Sequence, residues 1–303
     1  MTVRVGTFLP DFAPGSLAAR RATVAGLEAG GIDHLAVGDH VSFVAGAGSD
    51  GLLHAAHLLA LSDRLPVHVG VYLLALRHPV PVARQLADLA ALAPGRLVLG
   101  VGVGGEDPHE FEVCGVDPTT RGRRTDEALP LVRRLLTGEP VTSAGPCFPV
   151  REAQVLPPAG DLPIVIGGRS AAAVRRAARH GDGWLGIWIS PRRFATVIAE
   201  VAEQAAAAGR TDVEWRHGLQ VWCGFGAGVE AATGPLAAAM ESMYGLPFSS
   251  FARYSPAGRP AEVAAFLQPY VDAGCRSFNL VPRAADQDVA LAGVAEVRRL
   301  LAG

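Results

Sequence analysis

A cluster of titratable side chains follows a glycine-rich apolar segment near the first third of the sequence. The segment at residues 96–104 reads RLVLGVGVG, and its apolar, partly β-branched composition predicts a buried strand that ends in glycines. Titratable groups then come within five positions, at Glu106, Asp107, His109 and Glu110. Glycines let a backbone approach a ligand closely, and carboxylates and imidazoles can exchange protons with it. We therefore expect ligand chemistry at this loop.

A second polar group follows the second predicted strand, where a run of apolar residues ends at Gly38, Asp39 and His40. An imidazole titrates near neutral pH, so His40 is a candidate to accept or donate a proton. The alternative is a histidine that only packs at the end of the strand. His54 and His57 stand three positions apart in a predicted helix, but no acidic or cysteine residue completes a metal site there, and we predict none.

A third group suits an anion. PIVIGG at residues 163–168 predicts another strand that ends in glycines, and Arg169, Ser170 and a helical segment follow at once. Backbone N–H groups between Gly168 and Ser170, at the positive end of a helix, can receive a phosphate, and Arg169 can add a charge-assisted hydrogen bond. A tight strand-to-helix turn without any ligand fits the spacing equally well.

The glycines of the fourth strand also match a dinucleotide-binding pattern. Gly100, Gly102 and Gly105 satisfy G-x-G-x-x-G, which in a Rossmann unit leads directly into a helix. Here Asp107-Pro108 and a polar run come first, and at least three strand–helix units precede the motif. The context therefore argues against a dinucleotide site, and a glycine-bearing barrel strand without a ligand is the other alternative.

The elements that must position these residues alternate along the chain. Apolar runs separated by segments of helical periodicity predict eight strands and eight helices. The predicted strands lie at residues 3–9, 32–37, 67–76, 96–104, 163–168, 181–188, 215–226 and 277–283. Two stretches break the alternation: about 138–162, with five prolines, and 227–259, which is amphipathic and aromatic. We read the first as an extended arm or hairpin beside the barrel.

This alternation predicts an α/β fold, a (β/α)8 TIM barrel in a single domain over residues 1–303, with insertions after strands four and seven. An open doubly wound sheet is the alternative. The barrel is favoured because polar residues cluster after strands two to five, and barrel sites are built at the C-terminal ends of the strands.

Composition limits the partners. The chain has 27 basic and 29 acidic residues, a net charge of -2 and no long run of either sign, which favours a small-molecule partner over nucleic acid or an acidic membrane. Its four cysteines are far apart, which suggests neither a zinc site nor a disulfide framework. The chain enters a strand directly, and no apolar run approaches a membrane span. We expect a soluble, cytoplasmic protein.

Several segments together resemble the bacterial luciferase-like superfamily of flavin- and deazaflavin-dependent oxidoreductases. The resemblance is carried by GDH at 38–40, RHPVPVARQLADLAALAPGRLVLGVGVG at 77–104, EF-x-x-x-GV at 110–116, and PIVIGG with HGDGW between 163 and 184. It extends over nearly the whole chain. It implies a barrel whose C-terminal mouth carries the flavin or deazaflavin ring, with the phosphate tail held near strands four and five.

The resemblance also implies site residues. Many members have a non-proline cis peptide in the third strand behind the ring, and the matching positions are Gly70, Val71 and Tyr72. Asp39 and His40 resemble the branch that uses the deazaflavin F420, in which the histidine lies near the reactive carbon of the ring. The predicted catalytic residues are His40 and Glu106. The predicted cofactor-binding residues are Asp39, His40, Gly70, Val71, Tyr72, Gly104, Gly105, Gly167, Gly168, Arg169 and Ser170.

Glu106 occupies roughly the place of an acidic partner in sugar-phosphate dehydrogenating members. The tryptophan that such members carry a few residues beyond the Asp-His pair is absent here, where Phe43 and Val44 stand instead. A sugar-phosphate substrate is therefore not indicated.

The favoured function is an F420-dependent oxidoreductase that transfers a hydride between the cofactor and a small organic substrate. An FMN-dependent monooxygenase, which uses O2 and reduced flavin from a separate reductase, is the alternative. A non-catalytic flavin-binding protein is the third possibility. Members of the family are often homodimers, and we expect one here.

Overall fold

The computed structural model describes residues 2–9, 16–44 and 46–302. Its strands are β1 (Arg4–Phe8), β2 (His34–Val37), β3 (Val67–Leu73), β4 (Leu97–Gly102), β5 (Val141–Ser143), β6 (Val150–Ala153), β7 (Ile164–Gly167), β8 (Gly183–Ile187), β9 (Gly218–Phe225), β10 (Ala257–Gly258) and β11 (Ser277–Arg283). Its helices are α1 (Leu17–Ala29), α2 (Gly51–Leu59), α3 (Pro79–Leu92), α4 (Pro108–Val113), α5 (Arg121–Leu136), α6 (Ala171–His180), α7 (Pro191–Ala207), α8 (Val229–Tyr244), α9 (Pro260–Asp272) and α10 (Gln287–Ala302).

Eight parallel strands close into a barrel, which confirms the predicted fold. Their order is β11-β1-β2-β3-β4-β7-β8-β9, and β9 pairs with β11 to complete the ring. The helices pack their apolar faces on the outside of this ring, where the main core lies. All C-terminal strand ends therefore meet at one rim, and β11 lies opposite β4 and β7.

Local sequence signals set several helix starts. Ser16, Ser170 and Ser190 accept hydrogen bonds from the backbone N–H groups of the first helical turn, as N-cap residues do. Pro79 stands in the first turn of α3, where its missing N–H costs nothing.

Both insertions lie where the sequence places them. Residues 138–162 contain the antiparallel β5–β6 hairpin, which confirms a hairpin at this point of the chain. Residues 227–259 contain α8, two short 3-10 turns and β10, which pairs with β9 at the rim.

The predicted third strand was too long. It ends at Leu73 and continues as a 3-10 turn, rather than reaching residue 76. The polar run after β4 holds a short helix, α4. Helix α5 continues through Pro130, because its buried apolar side chains on either side of the proline hold it against the core.

Candidate active site at the barrel mouth

A cavity of about 460 Å³ opens at the C-terminal rim of the barrel. Strand ends, the loops after β2 and β4, and α8 supply its walls. Its lining residues on the side of β2, β3, β4 and β7 include Gly38, Asp39, His40, Phe43, Gly70, Val71, Gly102, Gly104, Glu106, Gly167 and Gly168. Those on the side of β8, β9 and β11 include Leu185, Trp188, Gln220, Trp222, Met243, Tyr244, Val281 and Arg283.

The floor of the cavity is a bulge in β3. The Gly70–Val71 peptide bond is cis, at the position that the resemblance implies, and the pairing register between β3 and β4 shifts there. Glycines on the neighbouring strands make room for Val71: a Cβ atom on Gly102 would lie 2.3 Å, and one on Gly167 2.7 Å, from its methyl groups. These two glycines therefore serve the packing of Val71, and they let an apolar side chain stand at the floor of the cavity.

Asp39 is held by a dense set of donors. Its carboxylate accepts hydrogen bonds from both terminal nitrogens of Arg77, at 2.6 and 2.8 Å, and from the backbone N–H groups of Gly51 and Leu73. Burial alone lowers the pKa of the Arg77 guanidinium, but the carboxylate of Asp39 outweighs it and raises that pKa. Asp39 thus ties the ends of β2 and β3 to the start of α2, and its side chain has no exposed surface.

His40 lies beside a buried carboxylate. Its Nδ1 is 3.1 Å from Oε2 of Glu110, and the same carboxylate accepts from the backbone N–H of Val41 at 2.7 Å. The imidazole also contacts the ring of Phe43, with 4.2 Å between ring centres. Because Glu110 accepts at Nδ1, the favoured neutral tautomer carries its proton there and leaves Nε2 with a free lone pair. His40 lines the cavity, so this lone pair is available to a ligand.

Glu110 stays ionised in this setting. Burial works to raise its pKa, but hydrogen bonds from His40, Val41 and Ser42 outweigh it, and the pKa of Glu110 lies below its usual value. An ionised carboxylate against Nδ1 fixes the ring and stabilises a protonated imidazole. The pair therefore has the arrangement of a general base with an orienting acid.

The predicted acidic partner, Glu106, lies elsewhere. It is exposed on the loop after β4 and lines the cavity, and among the described residues it is Glu110, not Glu106, that forms the hydrogen bond and ion pair with His40. No role was predicted for Glu110. The available signal was the EF-x-x-x-GV segment at residues 110–116, which follows shortly after Asp107, the cap of α4; this short helix brings Glu110 to His40.

The other predicted cofactor-binding residues divide into two groups. Asp39, His40, Gly70, Val71, Gly104, Gly167 and Gly168 line the cavity. Tyr72, Gly105, Arg169 and Ser170 do not line its walls, although all four are described. Tyr72 is buried behind the bulge, where Arg77 lies over its ring.

The turn after β7 keeps the features of an anion site. Gly168 has a φ of +120°, which disfavours other residues, and its carbonyl accepts from the Trp184 indole at 2.7 Å. Ser170 caps α6 with its side-chain oxygen, and Arg169 is exposed over the ring of Trp188. Backbone N–H groups and a cationic side chain are thus together at a helix N-terminus.

The opposite wall of the cavity contains residues that were not predicted from the sequence. Trp188, Trp222 and Tyr244 form an aromatic cluster there, and Arg283 lies over the Trp222 ring. These residues lie far apart in the sequence and form no recognisable motif. They come together only because β8, β9, β11 and α8 meet at the rim.

Among the described residues, no group of three or more His, Cys, Asp or Glu side chains is arranged to hold a metal ion. Over the same residues, every helix is too short or too polar to span a bilayer.

Two proteins are similar to this chain in sequence. An uncharacterised protein of Mycobacterium tuberculosis is 38% identical over 157 residues, which are 52% of this chain and 54% of that protein, so the match spans about half of the relative's length. An F420-dependent glucose-6-phosphate dehydrogenase of Kineococcus radiotolerans is 29% identical over 309 positions, covering 92% of this chain and 89% of that protein.

Solved structures share the architecture. An F420-dependent secondary alcohol dehydrogenase in complex with an F420-acetone adduct superposes with a TM-score of 0.84 at 20% identity and covers 98% of each chain. The oxygenating component of 3,6-diketocamphane monooxygenase from Pseudomonas putida, in complex with FMN, has a TM-score of 0.78 at 17% identity and covers 100% of this chain and 98% of that one. At these identities the likeness establishes the fold alone.

The model of the luciferase-like monooxygenase family matches residues 3–293, and the chain therefore belongs to this family of flavin- or F420-dependent oxidoreductases.

Proposed function

We propose that the protein is an F420-dependent oxidoreductase that transfers a hydride between the cofactor and the hydroxyl-bearing carbon of a small organic substrate. The observation that carries the proposal is the His40–Glu110 pair, with Nδ1 bound to a buried carboxylate and Nε2 available at the cavity. A base at this point suits removal of a hydroxyl proton.

The protein's part in alcohol oxidation is proton transfer. His40 Nε2 accepts the hydroxyl proton while the C–H bond breaks and the carbonyl forms, and the electron pair of that bond leaves as hydride. Glu110 stabilises the imidazolium that results, because its carboxylate lies 3.1 Å from Nδ1. In the reverse direction the same imidazolium returns its proton to the carbonyl oxygen.

The residues present fit a flat redox cofactor. Val71 and Gly70 form the floor of the cavity, and the N-terminus of α6 after Gly168 can receive a phosphate. The bound deazaflavin supplies the hydride acceptor. His40, Gly70, Val71, Gly104, Gly167 and Gly168 would contact the cofactor, with Arg169 and Ser170 near its phosphate, whereas Asp39 acts by positioning His40.

Two points support F420 over FMN. First, hydride transfer from an alcohol requires a base that removes the hydroxyl proton, and His40 can act as this base. A monooxygenase does not oxidise its substrate by removing a hydroxyl proton and a hydride, so it does not require such a base. The relative that aligns with 92% of the chain is named as an F420-dependent dehydrogenase.

Titration of the purified protein with F420 and with FMN in separate experiments tests the proposal. We expect F420 to bind at least tenfold more tightly, and a screen of secondary alcohols to reduce bound F420, as followed by its visible absorbance. Tighter binding of FMN, together with O2-dependent oxidation of a substrate when a flavin reductase is supplied, would instead establish the monooxygenase alternative. A folded protein that binds neither cofactor would support the non-catalytic one.

A further inference from the structure

Arg283 is a cation in the cavity wall without a carboxylate partner. It is the last residue of β11 and half-buried, and its Nη1 donates to the carbonyl of Pro282 at 2.8 Å. Its guanidinium carbon lies 4.7 Å from the centre of the Trp222 ring. Within residues 2–9, 16–44 and 46–302, no carboxylate is in ion-pair distance of it.

Arg283 lacks the nearby carboxylate that Arg77 has among the described residues. Burial works against the charge of both side chains, but Asp39 compensates for it at Arg77 and raises that pKa. At Arg283 burial prevails and lowers the pKa, and only Cys223 and Tyr244 act in the other direction. A half-buried guanidinium at a cavity wall with no anion beside it is suited to receive one from a ligand.

The position of Arg283 separates it from the expected phosphate site. In the barrel, β11 stands opposite β4 and β7, whose glycine-bearing turns lie across the cavity. Arg283 is therefore on the far wall from the N-terminus of α6. The anion that it receives belongs to a second molecule beside the cofactor.

Aromatic side chains define the body of that molecule. Trp188 and Tyr244 meet with their ring centres 5.0 Å apart, and Tyr244 lies 5.9 Å from Trp222. All three rings line the cavity; Arg283 lies over Trp222, and Arg169 lies over Trp188. Trp188 has a φ of +49°, a backbone conformation that a bulky side chain rarely adopts and that is often found at ligand sites. Such walls favour a flat, unsaturated ring.

The acidic groups of the cavity do not pair with Arg283 among the described residues. The Asp39 carboxylate is fully engaged by Arg77 and two backbone N–H groups. Glu106, which is exposed on the loop after β4, is near enough to Tyr244 to contribute to the raised pKa of its hydroxyl, but only Cys223 and Tyr244 act on Arg283.

The barrel also limits the length of the molecule. One strand, β1, separates β11 from β2, so the strand ends that carry Arg283 and precede His40 are two spacings apart. At roughly 5 Å per spacing this is about 10 Å between the strand ends. A single ring with a carboxylate on one side and a reacting carbon on the other can bridge the two residues.

We propose that the substrate is a small aromatic or similarly flat carboxylate, whose anionic group is bound by Arg283 and whose ring packs against Trp188, Trp222 and Tyr244. This inference rests on the proposed oxidoreductase function, because it places the reacting carbon at His40. The binding of the anion itself does not depend on the cofactor's identity.

The test compares an acid with its neutral isostere. Binding of 4-(1-hydroxyethyl)benzoate and of 4-(1-hydroxyethyl)benzamide is measured by calorimetry on the cofactor-loaded protein and on the free protein. We expect the benzoate to bind about ten- to hundredfold more tightly. Where F420 turnover is present, kcat/KM should show the same preference. Equal affinity for the two compounds, or binding of neither, overturns the proposal.

Matched variants assign the preference to one residue. Arg283→Met should abolish the preference for the benzoate, and Arg283→Lys should retain part of it. Arg253→Met is the control, because Arg253 is exposed and also lies 4.7 Å from an aromatic ring, that of Tyr254, but does not line the cavity. A melting temperature close to that of the wild type shows that each variant is folded. If a variant does not fold, the comparison of the benzoate with the benzamide on the wild-type protein still tests the proposal.

The outcomes separate this inference from the proposed function. Loss of F420 binding in Arg283→Met with an intact preference for the benzoate would assign Arg283 to the cofactor's tail and refute the inference. Selective benzoate binding in a protein that does not bind F420 would leave the anion site in place and refute the F420 assignment.

Discussion

Replacing Glu110 by glutamine removes the charge from the proposed base pair while keeping its shape. The carboxylate is 2% exposed and accepts from His40 at 3.1 Å and from the Val41 N–H at 2.7 Å. A hydrogen bond to a charged group contributes about 1.5–3 kcal/mol. At about 1.4 kcal/mol per tenfold change, loss of the carboxylate's hold on the imidazolium should lower kcat by about ten- to hundredfold.

The assay needs readouts that separate catalysis from folding. We would measure kcat and KM with F420 and the best alcohol of the screen, the pH dependence of kcat, cofactor affinity and the melting temperature. Cofactor affinity should change little, because Glu110 faces His40 and the β2 loop. The matched control is Glu112→Gln: Glu112 lies 3.3 Å from the Nδ1 of His109, but both side chains are mostly exposed, so the change should be nearly neutral.

Two results would refute this reasoning. If Glu110→Gln kept wild-type kcat and an unchanged pH profile, the carboxylate would have no part in proton transfer. If its kcat fell only in proportion to a loss of folded protein, Glu110 would be a structural residue.

Further predictions concern the remaining parts of the site. His40→Ala should lower turnover about a hundredfold or more and leave cofactor affinity within about twofold, as kinetics and titration will show. Gly168→Leu should weaken cofactor binding, because the side chain would stand at the phosphate approach and Gly168 has a φ of +120°; unchanged affinity would remove this turn from the site. Asp39→Asn should lower the free energy of urea unfolding by about 1.5–3 kcal/mol, since Arg77 loses its buried carboxylate and among the described residues keeps only that of Asp50, at 3.2 Å. Burial lowers the pKa of His34 to about 4, so between pH 4 and the ordinary value of about 6.5 the unfolded state binds more protons than the folded state. The free energy of unfolding should therefore decrease by about 3 kcal/mol as the pH falls through this window, and the decrease should be smaller in His34→Asn.

The sequence predicted the barrel because each strand and helix carries its own local signal. Ser170 caps α6 and the glycines end β4 and β7, so the elements and the rim could be placed from short segments. The cis bond at Gly70–Val71 lies where the family resemblance implies it.

Contacts between distant segments could not be predicted in this way. His40 and Glu110 are 70 residues apart, and which of the acids after β4 reaches the histidine depends on how α4 begins at Asp107. Glu106 was predicted because the family resemblance places an acidic partner of sugar-phosphate dehydrogenating members roughly at this position. No role was predicted for Arg283, because the sequence alone does not show that this residue at the end of β11 has no carboxylate partner among the described residues.

Two neighbouring residues at the end of β2 illustrate why proximity along the chain does not assign a role. Asp39 is closed off by Arg77 and by backbone donors from β3 and α2, so it can act on a ligand only by fixing where His40 stands. His40 pairs with a carboxylate from another loop and keeps one nitrogen for the cavity. Asp39→Asn should therefore lower stability while leaving the shape of the pH profile unchanged, and Glu110→Gln should alter that profile with a smaller loss of stability. Measuring stability and the pH profile of both variants thus distinguishes the positioning role of Asp39 from the proton-transfer role of His40 and Glu110.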